Sequence, residues 1–349
     1  MTHTRQNIWT LPGGTWDPII EWYAKGVGAL QARPLGGRTS WRFLAAMHGF
    51  APQMWTQQGY LGAADALPPA SDQSTFWKQC QHQTWYFLPW HRGYLGAFEQ
   101  IVRAAIVILG GPATWALPYW NYSDTTNPDA TTLPTAFSQP TMPGGAPNPL
   151  YVTARYGAGT SPITLPPADV TLGALAQPLF AGTNAGASTG FGGPKTLFHH
   201  GGGNGNGRLE SQPHNLVHSD VGGQSANGDP GLMSDPDIAA LDPIFWVHHA
   251  NIDRLWEVWL KRNPAHLNPT LAQWLTGPAN RTFTVPSVAG APTQYAAKDM
   301  LDTQAPNLDY VYDDTSDPLA GVHRVAARLA NLQAAGAPVP AAPAAPAQE

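Results

Sequence analysis

Only two stretches of this chain sustain helical periodicity over several turns: one over residues 88–109, containing GYLGAFEQIVRAAIVIL, and one over 242–261, within DPIFWVHHANIDRLWEVWLKR. Any core has to be founded on them, because 36 glycines and 35 prolines among 349 residues break the apolar pattern elsewhere. The first run stops at Gly110-Gly111-Pro112. The second has both ends marked, with Asp242 as cap, Pro243 in the first turn and basic residues closing the last turn against the negative end of the helix dipole. Shorter helical patterns run over 16–32, 40–49 and 213–218.

Between 121 and 207 the sequence is rich in Pro, Gly, Ser, Thr and Asn and lacks the periodicity of a second packed domain. It reads as long loops laid over a helical core, and loops of that length commonly wall a functional pocket. Residues 1–316 are expected to form one domain. A short amphipathic helix or linker is predicted over 317–333, from the apolar spacing in VHRVAARLANLQ, and an extended Ala/Pro tail over 334–349.

Bulk charge narrows the function classes. The formal net charge is −5 with no Lys/Arg cluster, which gives no support for nucleic acid or an anionic membrane as partner. No apolar run approaches the roughly 20 residues needed to span a bilayer. The start, MTHTRQNIWTLPGG, carries no apolar signal core and no twin arginine, so a cytoplasmic location is expected. The single cysteine, Cys80, cannot form an intrachain disulfide.

The chain has twelve histidines, and the helical patterns hold a large share of them. His214 and His218 are four apart in PHNLVH, a spacing that puts both on one helical face. His48, His82 and His91 lie in or beside helices of one half, and His249 sits mid-helix in the other. Six imidazoles with no carboxylate among them suit copper, zinc, nickel or iron better than magnesium or calcium. Composition and spacing go no further than that.

The run from His82 through Trp90-His91-Arg92 to Glu99 resembles the first copper-site signature of the tyrosinase family, the group that includes catechol oxidases and molluscan hemocyanins. The run Asp242-Pro243-Ile244-Phe245-Trp246-Val247-His248-His249 through Asp253 resembles its second. The resemblance extends from about Arg5 to Tyr312 and is weak through the loops. It implies a mainly α fold, a four-helix bundle housing a dinuclear copper centre under long irregular loops, with residues 1–316 as the catalytic domain.

It implies His48, His82 and His91 as ligands of one copper and His214, His218 and His249 as ligands of the other. His248 is then a neighbour whose ring leaves the face His249 occupies. His199 and His200 match no ligand position, and His3, His266 and His323 read as surface residues. Cys80-Gln81-His82 matches the family's Cys-x-His element, implying a thioether from Cys80 to the His82 ring. Glu210 and Asn215 match a pair proposed to hold a water that takes a phenol's proton, although Glu210 also reads as a helix cap. Pro236 and Ser219 fall at the pocket entrance, with Pro236 at the gate position. Tyr310-Val311-Tyr312 matches a Tyr-x-Tyr element that packs on an N-terminal arginine, here Arg5. Asp253 reads as an orienting residue, and Arg92 and Glu99 as structural.

The implied activity is a type-3 copper oxidase that uses O2 as co-substrate to oxidise o-diphenols to o-quinones, with ortho-hydroxylation of monophenols. Small phenols are the expected partners, and a copper-delivery helper is a further expected one. The remaining alternatives are an o-aminophenol oxidase, a hemocyanin-like oxygen carrier and a zinc-binding structural protein. With about 37 residues following Tyr312, the chain is expected to lack the shielding domain of many relatives.

Overall fold

Capping chemistry decides where the helices begin. Asp17 accepts from the Ile19 amide ahead of Pro18 to open α1 (Pro18–Gln31), and Ser40 accepts from the Phe43 amide to open α2 (Trp41–His48). Short α3 (Pro52–Gln57) and α4 (Ala70–Phe76) follow, then α5 (Phe87–Ile108). Helix α6 (Leu216–Gly222) precedes α7 (Pro243–Arg262), in which Asp242 caps the Ile244 amide and Lys261 and Arg262 occupy the last turn, as the sequence predicts. A short α8 (Ala272–Thr276) completes the set. This computed structural model describes residues 2–157, 161–182, 189–200 and 205–320.

The fold is the mainly α bundle expected, with α1, α5 and α7 as its long members. Gly26 permits the close approach of α1 to α5, since a Cβ there would stand 2.8 Å from Val102 Cγ1. Phe98 of α5 stacks on Trp246 of α7 at 3.6 Å between ring centroids, and Trp41 of α2 abuts both at 5.9 and 6.0 Å. All three rings are buried, and each such burial contributes roughly 1.5–3 kcal/mol. Within the described residues, no helix is long and apolar enough to cross a membrane.

Strand pairing is minor. Strand β1 (His3–Arg5) pairs in parallel with β6 (Tyr310–Tyr312), β2 (Ala181–Gly182) with β3 (Gly193–Pro194), and β4 (Phe283–Pro286) antiparallel with β5 (Pro292–Tyr295). The first pair sets the Arg5 guanidinium 3.5 Å above the Tyr310 ring, the contact expected from the Tyr-x-Tyr element. Arg5 is fully buried and bonds Glu99 at 2.6 and 2.9 Å, Asp253 at 3.2 Å and the Tyr312 hydroxyl at 2.8 Å.

The described residues of the segment 121–207 cover the bundle as turns, short 3-10 pieces and the β2–β3 pair. It is not merely polar cover: Leu133, Phe137, Leu150, Leu165 and Phe180 are buried, and Phe191 stacks on Trp259 of α7 at 4.6 Å. Arg155 pins the segment to the bundle by bonding both oxygens of Asp242, at 2.5 and 2.7 Å. One compact unit runs to Thr315 and ends before Ser316. Most of the helix expected over 317–333, all of the tail over 334–349 and His323 lie outside the described residues.

Three expectations need correction. The helix predicted over 213–218 is preceded by a wide turn, Glu210–Asn215, broken at Gln212 (φ −154°, ψ 125°), and the regular helix starts at Leu216. His266 is buried, because its ring stacks on Trp259 at 4.4 Å and its Nδ1 bonds the Trp259 carbonyl at 2.7 Å. His3 is half-buried, bonding the Asp309 and Ala113 carbonyls.

Candidate metal centre

Two groups of imidazoles face each other across the bundle. His48 at the end of α2, His82 in the loop before α5 and His91 in its first turns form one; their ring centroids are 5.1–5.6 Å apart. His214, His218 and His249 form the other, with centroids 4.6–5.5 Å apart. The groups touch where the His91 ring stacks on His249 at 4.5 Å and an interplanar angle of 11°.

Backbone carbonyls orient these rings. His48 Nδ1 bonds Pro236 O at 2.8 Å, His91 Nδ1 bonds Phe87 O at 2.7 Å and His218 Nδ1 bonds Met233 O at 2.8 Å. His214 Nδ1 bonds Asn215 Oδ1 at 2.8 Å. A carbonyl oxygen only accepts, so each of these Nδ1 atoms carries the proton and each Nε2 is left as a bare lone pair. Gly49 makes the first of these bonds attainable, because a Cβ there would stand 2.5 Å from Pro236 O and hold the 236–237 loop away from α2.

The lone pairs converge. Among the described residues, Nε2 of His48 and of His91 is buried without a partner, and His249 Nε2 lies 3.3 Å from Nε2 of both His214 and His218. With Nε2 of His214 and His218 free of a proton, His249 Nε2 can donate to either, and a cation between them would take the place of that proton. Burial keeps the rings neutral at pH 7, moving His91 down to about 3 and His218 down to about 4, and placing His48, His82, His214 and His249 well below the usual imidazole range.

His248 departs from expectation. Its ring does not leave the site: one ligating atom from each of His214, His218, His248 and His249 lies within 4.8 Å of the others. The 100° step between adjacent helical residues turns the ring without carrying it out of reach, and its centroid is 5.2 Å from that of His249.

Cys80 is fully buried, with Sγ 3.4 Å from His82 Nδ1, and burial pushes its thiol up from the usual range. His200, which matched no ligand position, is nonetheless at the site, with Nδ1 3.0 Å from Cys80 Sγ and 3.2 Å from Cys80 O. His199 braces the same loop, its carbonyl accepting from the His82 amide at 3.1 Å.

A cavity of about 400 Å³ opens onto the centre and is lined by His48, His82, His214 and His218 together with Glu210 and Asn215. Its mouth includes Ser219 and Pro236, both exposed, and Gln83, Asn206 and Ser234, which motif spacing did not single out. Glu210 serves as a cap and as a pocket residue at once. Its carboxylate reaches back to the Gly207 amide at 3.3 Å and accepts from the Gln83 amide at 2.8 and 3.0 Å. Gln83 sits at φ 58°, so the carboxylate holds a strained residue next to His82. Burial pushes Glu210 up to about 8 against the opposing pull of these two amides. A larger cavity of about 540 Å³, between α5 and the β4–β5 hairpin, lies away from the histidines.

A helical bundle presenting two facing imidazole clusters is the scaffold of a type-3 dinuclear copper protein. A match to the common central domain of tyrosinase spans residues 38–262, and the chain belongs to the tyrosinase family. It is 40% identical over 321 residues to a tyrosinase of Hahella sp. (strain CCB-MM4), an alignment covering 88% of this chain and 63% of that protein. Latent apple tyrosinase shares the fold with a TM-score of 0.65 at 23% identity, covering 91% of this chain and 64% of the other. A copper-bound variant of Aspergillus oryzae tyrosinase aligns with a TM-score of 0.56 at 20% identity, covering 95% and 94%. The chain spans less than two thirds of the Hahella and apple proteins.

Proposed function

We propose that this chain is a type-3 copper oxidase that uses O2 to oxidise o-diphenols to o-quinones, with ortho-hydroxylation of monophenols as a further activity of the same site. The observation that carries the reading is the convergence of proton-free Nε2 atoms, those of His48, His91, His214 and His218, from two histidine groups in a buried space walled at its rear by aromatic rings. Neutral imidazoles in such sets, with no carboxylate among them, fit copper. His48, His82 and His91 would hold one ion, and His214, His218 and His249 the other. When bound, the copper pair would supply the site for O2 and the sink for the two electrons a diphenol gives up.

The chain's own residues account for the rest. Phe87 packs on His91 and His214, at 4.6 and 4.8 Å, and Phe245 on His48 and His249, at 4.9 and 4.2 Å, so the rear of the site excludes water and fixes the rings. A phenol near pKa 10 has to lose its proton before it coordinates a metal. Glu210 Oε1 keeps acceptor capacity beyond its bond to Gln83 and, pushed up to about 8, is a stronger base than an ordinary carboxylate. Asn215 holds His214 in the tautomer that points Nε2 inward. Pro236 and Ser219 leave an entrance without a bulky apolar plug.

The test is oxygen consumption by copper-loaded protein supplied with a catechol, a monophenol and an o-aminophenol in air. Quinone formation with stoichiometric O2 uptake supports the oxidase. Reversible oxygenation without turnover would assign the chain to the carriers, and preferential turnover of the o-aminophenol to the third class.

A further inference from the structure

We infer that His200 is the residue on which this chain captures its own quinone product, its Nε2 adding to the ring of an o-quinone formed in the metal cavity. The inference rests on the oxidase reading for its supply of quinone and concerns a residue outside both ligand sets. An o-quinone is an electrophile, and the side chains that add to one at neutral pH are thiols, amines and imidazoles.

The cavity of about 400 Å³ presents few such groups. Five histidines line it, four of them are assigned to metal ions, and His200 is the fifth. No lysine lines it, and the Cys80 thiol is fully buried. The other lining side chains are amides, hydroxyls, Glu210, Pro236 and the buried thioether of Met233, whose addition would leave an unpaired sulfonium charge out of contact with water. By sequence, residues 158–160, 183–188 and 201–204, which lie outside the described residues, are Ala, Gly, Thr, Asn and Ser and add no nucleophile of these kinds.

His200 is also held in a form that can react. Its ring is exposed, and both of its polar contacts fall on Nδ1, at 3.2 Å to the Cys80 carbonyl and 3.0 Å to Cys80 Sγ, so Nε2 has no partner among the described residues. The carbonyl only accepts, which puts the hydrogen on Nδ1 and the lone pair on Nε2. A Cys80 sulfur joined to His82 has no proton to give and favours the same tautomer; where the thiol is free, exchange with water at the exposed ring supplies it. His200 also lines a polar cavity of about 310 Å³ beside Lys78 and Arg281, so a ring joined to Nε2 has open volume next to it. In the addition the Nε2 lone pair forms a bond to a quinone ring carbon. The proton leaving that carbon and the proton leaving Nδ1 end on the two quinone oxygens, which become hydroxyls. The electron pair of the new C–N bond reduces the quinone to the catechol level, no other oxidant or reductant takes part, and the chain gains the mass of one quinone.

The test is peptide mass mapping of copper-loaded protein turned over with catechol in air, beside excess free proline to consume quinone that reaches solution, then reduced with ascorbate and digested. About one quinone per chain is expected, on His200, because a nucleophile beside the place of formation acts at a far higher effective concentration than one in solution. His200→Asn should lose that adduct. The inference is overturned if adducts formed during turnover lie on lysines or other histidines while His200 is unmodified, or if His200→Asn carries as much adduct as wild type. Copper-loaded protein that makes no quinone overturns the oxidase reading, and the same mapping after addition of chemically prepared o-benzoquinone then decides the site. Modification of His200 upholds it there, and an unmodified His200 overturns it as well.

Discussion

Arg92 Nε lies 2.5 Å from Asp253 Oδ1, which joins the residue after His91 on α5 to the residue one turn beyond His249 on α7. Asp253 Oδ2 receives Arg5 Nη1 at 3.2 Å and the hydroxyls of Tyr310 and Tyr312 at 2.5 and 2.6 Å. Burial alone would push this carboxyl up, but Arg92 and Arg5 hold it below the usual carboxylate range. The two histidine groups are therefore fixed relative to each other by one charged residue behind them.

Asp253→Asn should be costly, because it leaves Arg92 and Arg5 buried with one compensating charge fewer. Breaking a buried pair from one side costs about 3–5 kcal/mol. The shift of the urea midpoint, at unchanged m value, measures it. A loss under about 1 kcal/mol would show that Glu99 and Glu257, the other partners of these arginines, carry the network unaided.

His214→Ala and His249→Ala should each abolish catechol oxidation while the far-ultraviolet helical signal persists. The helices are held by the Trp41–Phe98–Trp246 cluster and the Asp253 network, neither of which these changes touch. Full turnover by either variant would contradict the ligand assignment, whatever its copper count.

The Cys80–His82 contact predicts a thioether in copper-loaded, oxygen-exposed protein, and so an intact mass two hydrogens below that of the unmodified chain. A ring tethered at Sγ loses rotational freedom before the metal arrives, which lowers the entropy given up on binding. Cys80→Ala should keep the unmodified mass and bind copper more weakly. An unmodified mass for the loaded wild type would remove the crosslink.

Metal-free protein should be acid-labile. His91 and His218 fall from about 6.5 in the unfolded chain to about 3 and about 4 in the fold, so below pH 6.5 the unfolded state takes up protons the fold refuses. Their stabilising effect is complete above pH 6.5 and is lost as pH falls through those values, at about 1.4 kcal/mol per pH unit for each ring at the steepest. Urea midpoints between pH 7 and pH 4 would show the slope, and His218→Gln should flatten it. An unchanged slope would mean that this ring is not neutral in the fold.

Helices α5 and α7 were legible in the sequence because periodicity, caps and stops all agree there. The six histidines were legible as a group from helical spacing, and their division into two ligand sets, like the pairing of Arg5 with Tyr310, through the resemblance. The partners that orient the rings were not. The carbonyls of Phe87, Pro236 and Met233 have no side-chain signature, and two of them come from a loop that tertiary packing alone brings to His48 and His218. The break at Gln212 was hidden behind an apparent i, i+4 pair. His200 was set aside because it fits no ligand register, although the chain folds it onto Cys80. His248 reads from the sequence as a neighbour of His249 on another face of α7, and the fold keeps its buried ring beside the second group with Nδ1 at the Tyr122 hydroxyl.

The register that sets His3 beside Tyr310 makes the outer edges of the domain neighbours in space. Joining those edges with a short linker and reopening the chain at an exposed surface turn such as Gly144-Gly145 would give a circularly permuted protein with every histidine in its native surroundings. Covalent order along the chain would then differ while the contacts that build the bundle stayed the same.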